Sequence, residues 1–445
     1  MAFQESNTKG YILESVLLNS NRFKQPVQLV ESVTDIEIFE HLDKPWITAQ
    51  LMFVDAMRLF DRLDINGHES LTITVKNSNE DDPVVKEFIV NKIIRSVKGN
   101  EQNEVTAFHL VEKHAYKSNL INVNRAYSGY PDRMIGSILD GYLDKELLVR
   151  CSSINQSKIK MIIPNKTPLD AAIMIKNRTT TNEGLPVYMF SSFNNDYITL
   201  ADLGRIIDQP PTNTKSPFFY GLTENHTEVT GYRHIKIYDY KIANTDELSS
   251  LIGKGLVNGR YSFYDSLTGD FKNYNYDIVK NAVEQIPDLP NQNKNFPDNL
   301  EIDDIKVQNY HSRQMSAIHS SGAYDDATGR FRSFQEEFDP INHEKKITAR
   351  SLKHLLMKTP LDIKVPGSGF IHKDTNTTIG NKIRVLFLGN AELTKGFVPL
   401  DLKKSGDYII YAAKHTMSTT RYDITFSCVK LNNFNDDTSF KSFGL

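Results

Sequence analysis

At 445 residues the chain exceeds what one hydrophobic core holds, and its size points to two to four domains. Apolar residues make up 39% and charged residues 24%, which excludes a disordered chain. The net charge of -3 lacks the basic excess from which a dedicated nucleic-acid binder draws its affinity.

The opening residues, MAFQESNTKGYILESVLL, have no basic stretch leading into an apolar run, and nowhere do about eighteen apolar residues follow one another. A soluble protein made in a cytoplasm, without membrane anchoring, is expected. In the first quarter, Val33 to Phe39 (VTDIEIF), Ser70 to Val75, Glu87 to Ile94 and Glu104 to Val111 alternate apolar and polar residues, the period of half-buried strands. Between the first two, Leu51 to Leu63 (LMFVDAMRLFDRL) permits a short helix closed by a turn at Asn66-Gly67. Strand, helix and three further strands suggest a small barrel or sandwich.

The character then changes. Pro131 opens a predicted helix through Leu143, with Met134, Ile135, Ile138 and Leu139 at helical spacing, and Thr167-Pro168 opens a second to Asn177. Pro186 to Leu200 reads as a hairpin turning at Asn194-Asn195-Asp196. His234 to Tyr240 alternates as a strand, and Asp246 to Gly255 is a helix with a glycine stop. From Tyr274 to Asp339 the sequence is polar and poor in aliphatics, which predicts extended connection anchored by Phe331, Phe334 and Phe338. A helix over Ile347 to Met357 precedes a second strand cluster at 361–365, 382–388, 407–415 and 421–431.

Chemical motifs are scarce. The segment Gly253 to Gly259 follows a helix instead of bridging strand to helix, so it reads as a helix cap and not a phosphate cradle. His109 and His114 sit near a strand end without a third ligand and read as a strand residue and a surface residue. His311 and His319 fall in the polar stretch, and His415 reads as a satisfied core or rim histidine. Cys151 and Cys428, far apart, read as buried reduced thiols. No catalytic, cofactor-binding or metal residue is nominated, and the enzyme class is the weaker one.

The C-terminal block, LDIKVPGSGFIHKDTNTTIGNKIRVLF followed by SGDYIIYAAKHTMSTTRYDITFSCVKL, carries the most specific pattern. Its Pro366-Gly367 turn, Gly380 before a strand, Ser405-Gly406-x-Tyr408 start and Lys414-His415 strand end come in a fixed order. The block resembles the closing domain of phage tail hub proteins, a group that includes the contractile-tail central hub, late-control proteins and the hub part of type VI secretion VgrG proteins. Asp35 to Gly67, Arg125 to Gly129 and Tyr240 to Asp265 are similar to further segments of that family.

The resemblance implies a mixed, mainly β (α+β) fold with two tube-protein-like β-barrels plus smaller α/β and linking domains. The expected division is a first barrel over 1–127, completed by a strand near 230–240, an α/β insertion over 128–229 and a linking domain over 230–340. A second barrel over 341–435 and a tail over 436–445 complete it. The resemblance implies a structural virion protein assembled in the host cytoplasm, a homotrimeric baseplate hub joining a sixfold tail tube to a threefold spike. Its implied partners are a spike protein, a tail tube or tube-initiator protein and other baseplate proteins, with DNA passing the lumen unbound; no cofactor is implied. The alternatives are a hub of another contractile injection system and a wall-degrading tail enzyme, which would need a paired acid and nucleophile.

Overall fold

The computed structural model describes residues 10–20, 25–55, 65, 67–98, 104–151, 159–221, 235–242, 248–266, 268–278, 280–281, 301–306, 309–310, 313–319, 332–333, 340–357, 360–387, 401 and 404–430. The first half consists of β1 (Tyr11–Asn19), β2 (Val27–Gln28), β3 (Val33–His41), β4 (Thr48–Asp55), β5 (Ser70–Asn77), β6 (Val84–Lys98) and β7 (Glu104–Glu112). They pair antiparallel in the order β2-β1-β5-β6-β7-β4-β3. Alternation explains the ladder: in β5 Leu71, Ile73 and Val75 are buried while the residues between them are half-exposed. The helix expected from Leu51 is instead the second part of β4. Ala49, Leu51, Phe53 and Asp55 point inward and Met52 outward, so the apolar run obeys period 2; residues 56–63 lie outside the described residues.

The second half contains β13 (Phe218–Tyr220), β14 (Ile235–Lys236), β15 (Asp239–Ile242), β22 (Pro360–Pro366), β23 (Lys382–Phe387), β24 (Gly406–Ser418) and β25 (Tyr422–Lys430). The strand near 230–240 does not complete the first half. Its residues Asp239–Ile242 pair antiparallel with β22, and Ile235–Lys236 pair parallel with β13. Ile237 N–H donates to Phe219 O at 2.9 Å and Tyr238 N–H to Lys364 O at 2.8 Å, so one segment is bonded on both sides. Only the β13 side of this arrangement is local, since β22 comes far later in the chain. The segment's residues Ile237 and Tyr240 also join the core beneath β22.

The two halves are not separate. β3 pairs antiparallel with β24 from His41↔Ala412 to Asp35↔Ser418, which merges them into a 14-stranded sheet. In the first half β1 and β3 do not pair. A cleft of about 330 Å³ lined by Tyr11, Ile12, Leu13, Val30 and Val33 separates them. The fold is thus mainly β and α+β, with the strands in one continuous sheet and in smaller ones.

Between the halves comes α1 (Lys113–Ser118), then the insertion: β8 (Val123–Gly129), α2 (Pro131–Leu143), β9 (Leu147–Arg150), β10 (Ile159–Lys166), α3 (Pro168–Asn177), β11 (Val187–Ser191), β12 (Ile198–Asp202) and α4 (Leu203–Asp208). Helix α2 buries Met134, Ile135, Ile138 and Leu139 as its spacing predicts. It ends at Asp144 in the left-handed conformation, with Lys145 N–H reaching back to Leu139 O at 3.3 Å. Helix α3 starts on Thr167, whose Oγ1 accepts from Asp170 N–H at 3.2 Å. The insertion has its own core, in which Met189, Ile198 and Leu200 of the β11–β12 hairpin pack with both helices.

Next come α5 (Leu248–Gly253), β16 (Asn258–Asp265), β17 (Phe271–Asp277), β18 (Glu301–Ile302), β19 (Ile305–Lys306), β20 (Gln314–His319), β21 (Arg332–Ser333) and α6 (Pro340–Leu356). Gly255, at φ +69°, caps α5, and Leu256 N–H closes onto Leu251 O at 3.1 Å. Among its described residues, the polar stretch from Tyr274 contains the end of β17 and all of β20. Strands β17 and β20 flank β16, and Tyr261 and Tyr276 are buried. Tyrosine supplies the core that aliphatics do not: Tyr274 stacks on Tyr261 at 5.0 Å, and His343 of α6 meets Tyr261 at 4.7 Å. Phe331, Phe334 and Phe338 lie outside the described side chains.

Candidate functional site

The residues that organise this molecule lie where the insertion meets the joint between the two sheet halves. The turn of the β11–β12 hairpin is buried: Ser192, Phe193, Asn194 and Asn195 are each 3% exposed or less. Its backbone groups and the Asn194 amide nitrogen reach both halves, while Ser192 Oγ, Asn194 Oδ1 and the Asn195 side-chain amide are buried without a hydrogen-bond partner among the described residues. Phe193 N–H donates to Glu40 Oε1 on β3, and Asn195 O accepts from Lys86 on β6. Asn194 Nδ2 reaches Phe370 O at 2.9 Å, Thr375 O at 3.1 Å and Thr377 Oγ1 at 3.1 Å, all between β22 and β23. A loop that binds strands from both ends of the chain fixes their relative placement.

Two buried ion clusters flank this turn. In one, His415 Nε2 lies 3.3 Å from Glu40 Oε2, and His415 Nδ1 is 2.7 Å from the Tyr422 hydroxyl. Burial pushes the Glu40 carboxyl up, but the hydrogen bond and charge of His415 and the Phe193 N–H outweigh it, so Glu40 stays below the ordinary carboxylate range. Burial, then the Glu40 charge, push the Tyr422 hydroxyl well above its usual value. In the other cluster Glu112 Oε1 faces His114 Nδ1 at 3.4 Å and Lys86 Nζ at 3.6 Å, and Oε2 accepts from Ile47 N–H at 3.0 Å. Burial opposes the Glu112 charge, yet His114, Lys86 and Lys145 hold its carboxyl far below normal. His114 is buried, not superficial as its sequence context suggests, because Pro45 O accepts its Nε2–H at 2.8 Å beside Trp46.

His109 and His114 therefore do not converge. His109 sits on β7 with Asn91 Nδ2 at 3.5 Å, while His415 is the core histidine that its strand position suggests. His311 lies outside the described residues, as does the side chain of His319. Cys428 is buried within β25, and Cys151 Sγ–H points to Leu200 O at 3.5 Å. Among the described residues no three His, Cys, Asp or Glu side chains gather as a metal-binding group, and no helix is long and apolar enough to cross a membrane. The buried charges are spent on strand-to-strand contacts, and no single sequence signal marks them, since each cluster draws on distant segments.

One exposed feature complements this interior. Tyr264 is paired with Phe271 on one side and Ile318 on the other, giving an apolar row across β17-β16-β20. The three are 43%, 63% and 69% exposed, unusual for side chains of this size in neighbouring positions.

No protein-family model matches the sequence, and no curated protein matches it either. Solved structures do match. The tail protein from Neisseria meningitidis MC58 aligns with 95% of this chain and 97% of its own, with a TM-score of 0.52 and 11% identity. The 43 kDa tail protein of prophage MuSo2 from Shewanella oneidensis aligns with 94% of this chain and 98% of its own, with a TM-score of 0.50 and 11% identity. At that identity the likeness is one of fold: over nearly its whole length this chain shares the fold of these two tail proteins.

Proposed function

We propose that the chain is a structural protein of the virion tail and not an enzyme: the homotrimeric central hub of a baseplate, joining a sixfold tail tube to a threefold cell-puncturing spike. The observation that supports this reading is the fold match to two tail proteins over 95% and 94% of this chain. Each chain has two sheet halves joined through β3 and β24, so that three chains would present six such units to a sixfold tube and three copies of everything else to a spike. The exposed Phe271–Tyr264–Ile318 row fits a protein whose surfaces are covered in an assembly. A near-neutral net charge suits a lumen that passes DNA without holding it. Spike, tube or tube-initiator and other baseplate proteins are the partners of this reading, with assembly in the host cytoplasm.

Light scattering on the full chain, alone and mixed with the spike protein of the same tail, tests it. A mass near three times 50.7 kDa, in either sample, is expected. A stable monomer in both would overturn the hub.

A further inference from the structure

A cavity of about 260 Å³ lies between α3 and α6, away from the buried turn. Helix α6 sends Lys346, Arg350 and Lys353 to it, positions spaced to share one helical face. The opposite wall is Lys176 and Asn177 at the end of α3, then Thr179 and Thr180. Among the described residues this lining holds four cationic side chains and no acidic one.

Two of the cations are fixed in place. Lys176 is 3% exposed and reaches Asp43 Oδ1 at 2.6 Å, while Lys353 reaches Asp43 Oδ2 at 3.1 Å and stands 4.6 Å from the Tyr188 ring centre. One carboxylate below the cavity is thus shared by two lysines, and Arg350 and Lys346 add their charge above it. Burial, then Arg350 and Arg178, push the Lys346 ammonium down to about 7. An anion entering the cavity would meet Arg350 and Lys346 on one wall and Lys176 on the other. Guanidinium and ammonium donors are together suited to an oxygen-rich group with several acceptor atoms, whereas the Thr179 hydroxyl is already donated to Ile175 O at 2.9 Å.

We propose that this cavity is an oxyanion-binding site, taking either the carboxylate of an acidic peptide segment or a free ion of the phosphate and sulfate class between α6 and the end of α3. Arg350, exposed at the rim, meets the ligand first, and Lys346 and the lysine pair on Asp43 complete its charge balance.

Calorimetric titration of the full chain at constant ionic strength tests this, with sulfate in one arm and acetyl-tetraglutamate amide in the other. Binding at one site is expected in at least one arm, weakened about tenfold or more in K346Q/R350Q. Sulfate binding without peptide binding assigns the site to a free ion; tighter peptide binding assigns it to a docked acidic segment. Should the double variant fail to keep the wild-type melting temperature, R350Q alone gives the reading. No binding in either arm, or binding that the variant leaves unchanged, overturns the site.

Discussion

Glu40 and His415 meet diagonally across the β3–β24 ladder: Glu40 is in register with Ala413, and His415 with Ile38. Both side chains have zero exposure, so the Glu40 carboxylate depends on His415 and the Phe193 N–H for its partners in the core. Glu40→Ala strands the imidazole in the core and removes the acceptor of Phe193 N–H. A loss of about 3–5 kcal/mol is expected from the urea midpoint, the usual cost of breaking a buried pair on one side. Glu40→Gln keeps the acceptor and should cost less. Equal midpoints for wild type and Glu40→Ala would remove the pair from any structural role.

His343 gives stability a pH dependence above the carboxylate range. Burial, then Arg350 and Arg313, push its imidazole down to about 4, so the folded chain holds it neutral while the unfolded chain protonates near 6.5. The unfolded state binds more protons between those values, and stability falls as pH drops from about 6.5 to about 4. Glu40, Asp43 and Glu112, all held below their normal values, continue the fall once pH passes below about 4.5. His343→Gln should flatten the upper part of a melting-temperature curve and leave the lower part. A variant curve parallel to wild type throughout would show that His343 does not carry the upper slope.

Gly367 is required by space. A Cβ there would lie 2.5 Å from ring atoms of the buried Tyr422, the partner of His415, and Gly367 N–H already donates to Tyr422 O at 2.9 Å. Gly367→Ala should cost about 1–3 kcal/mol by overpacking, read from thermal unfolding. Gly406, at φ +155° and buried at the start of β24, should be no more tolerant of Gly406→Val. Normal stability in either variant would mean that the turn on that side yields.

The thiols should be silent in the native protein. Burial, then Asp202, push Cys151 up to about 12, and burial, then Asp362, hold Cys428 well above normal. Reaction with a disulfide reagent near neutral pH should consume neither thiol within minutes and both after unfolding in urea. Fast labelling of Cys151 alone would show that the region around Leu200 opens readily.

Much of the frame was legible because local pattern and final burial agree. The strand over Val33 to Phe39 and the helix over Pro131 to Leu143 follow their periods almost to the residue. Leu51 to Asp55 misleads because apolar residues on both faces of a strand imitate a helical stripe. The Tyr274 region misleads because its core is aromatic and its spacers polar, so a search for aliphatics passes over it. The buried turn at Phe193 and Asn194 was legible as a turn but not as a junction. What buries it is Glu40, Lys86 and Phe370, whose proximity depends on the whole topology.

The β3–β24 ladder also governs when the molecule can exist. Strand β3, at Val33–His41, leaves the ribosome long before its partner at Gly406–Ser418. Until then one edge of the first half stays open to solvent, and the contact that finally covers it closes a loop spanning most of the chain. Closing that contact is therefore slow relative to formation of the insertion, whose strands and helices contact near neighbours. A nascent chain stalled before β24 carries the exposed edge of β3, and that intermediate is where chaperone binding and strand-edge aggregation would compete.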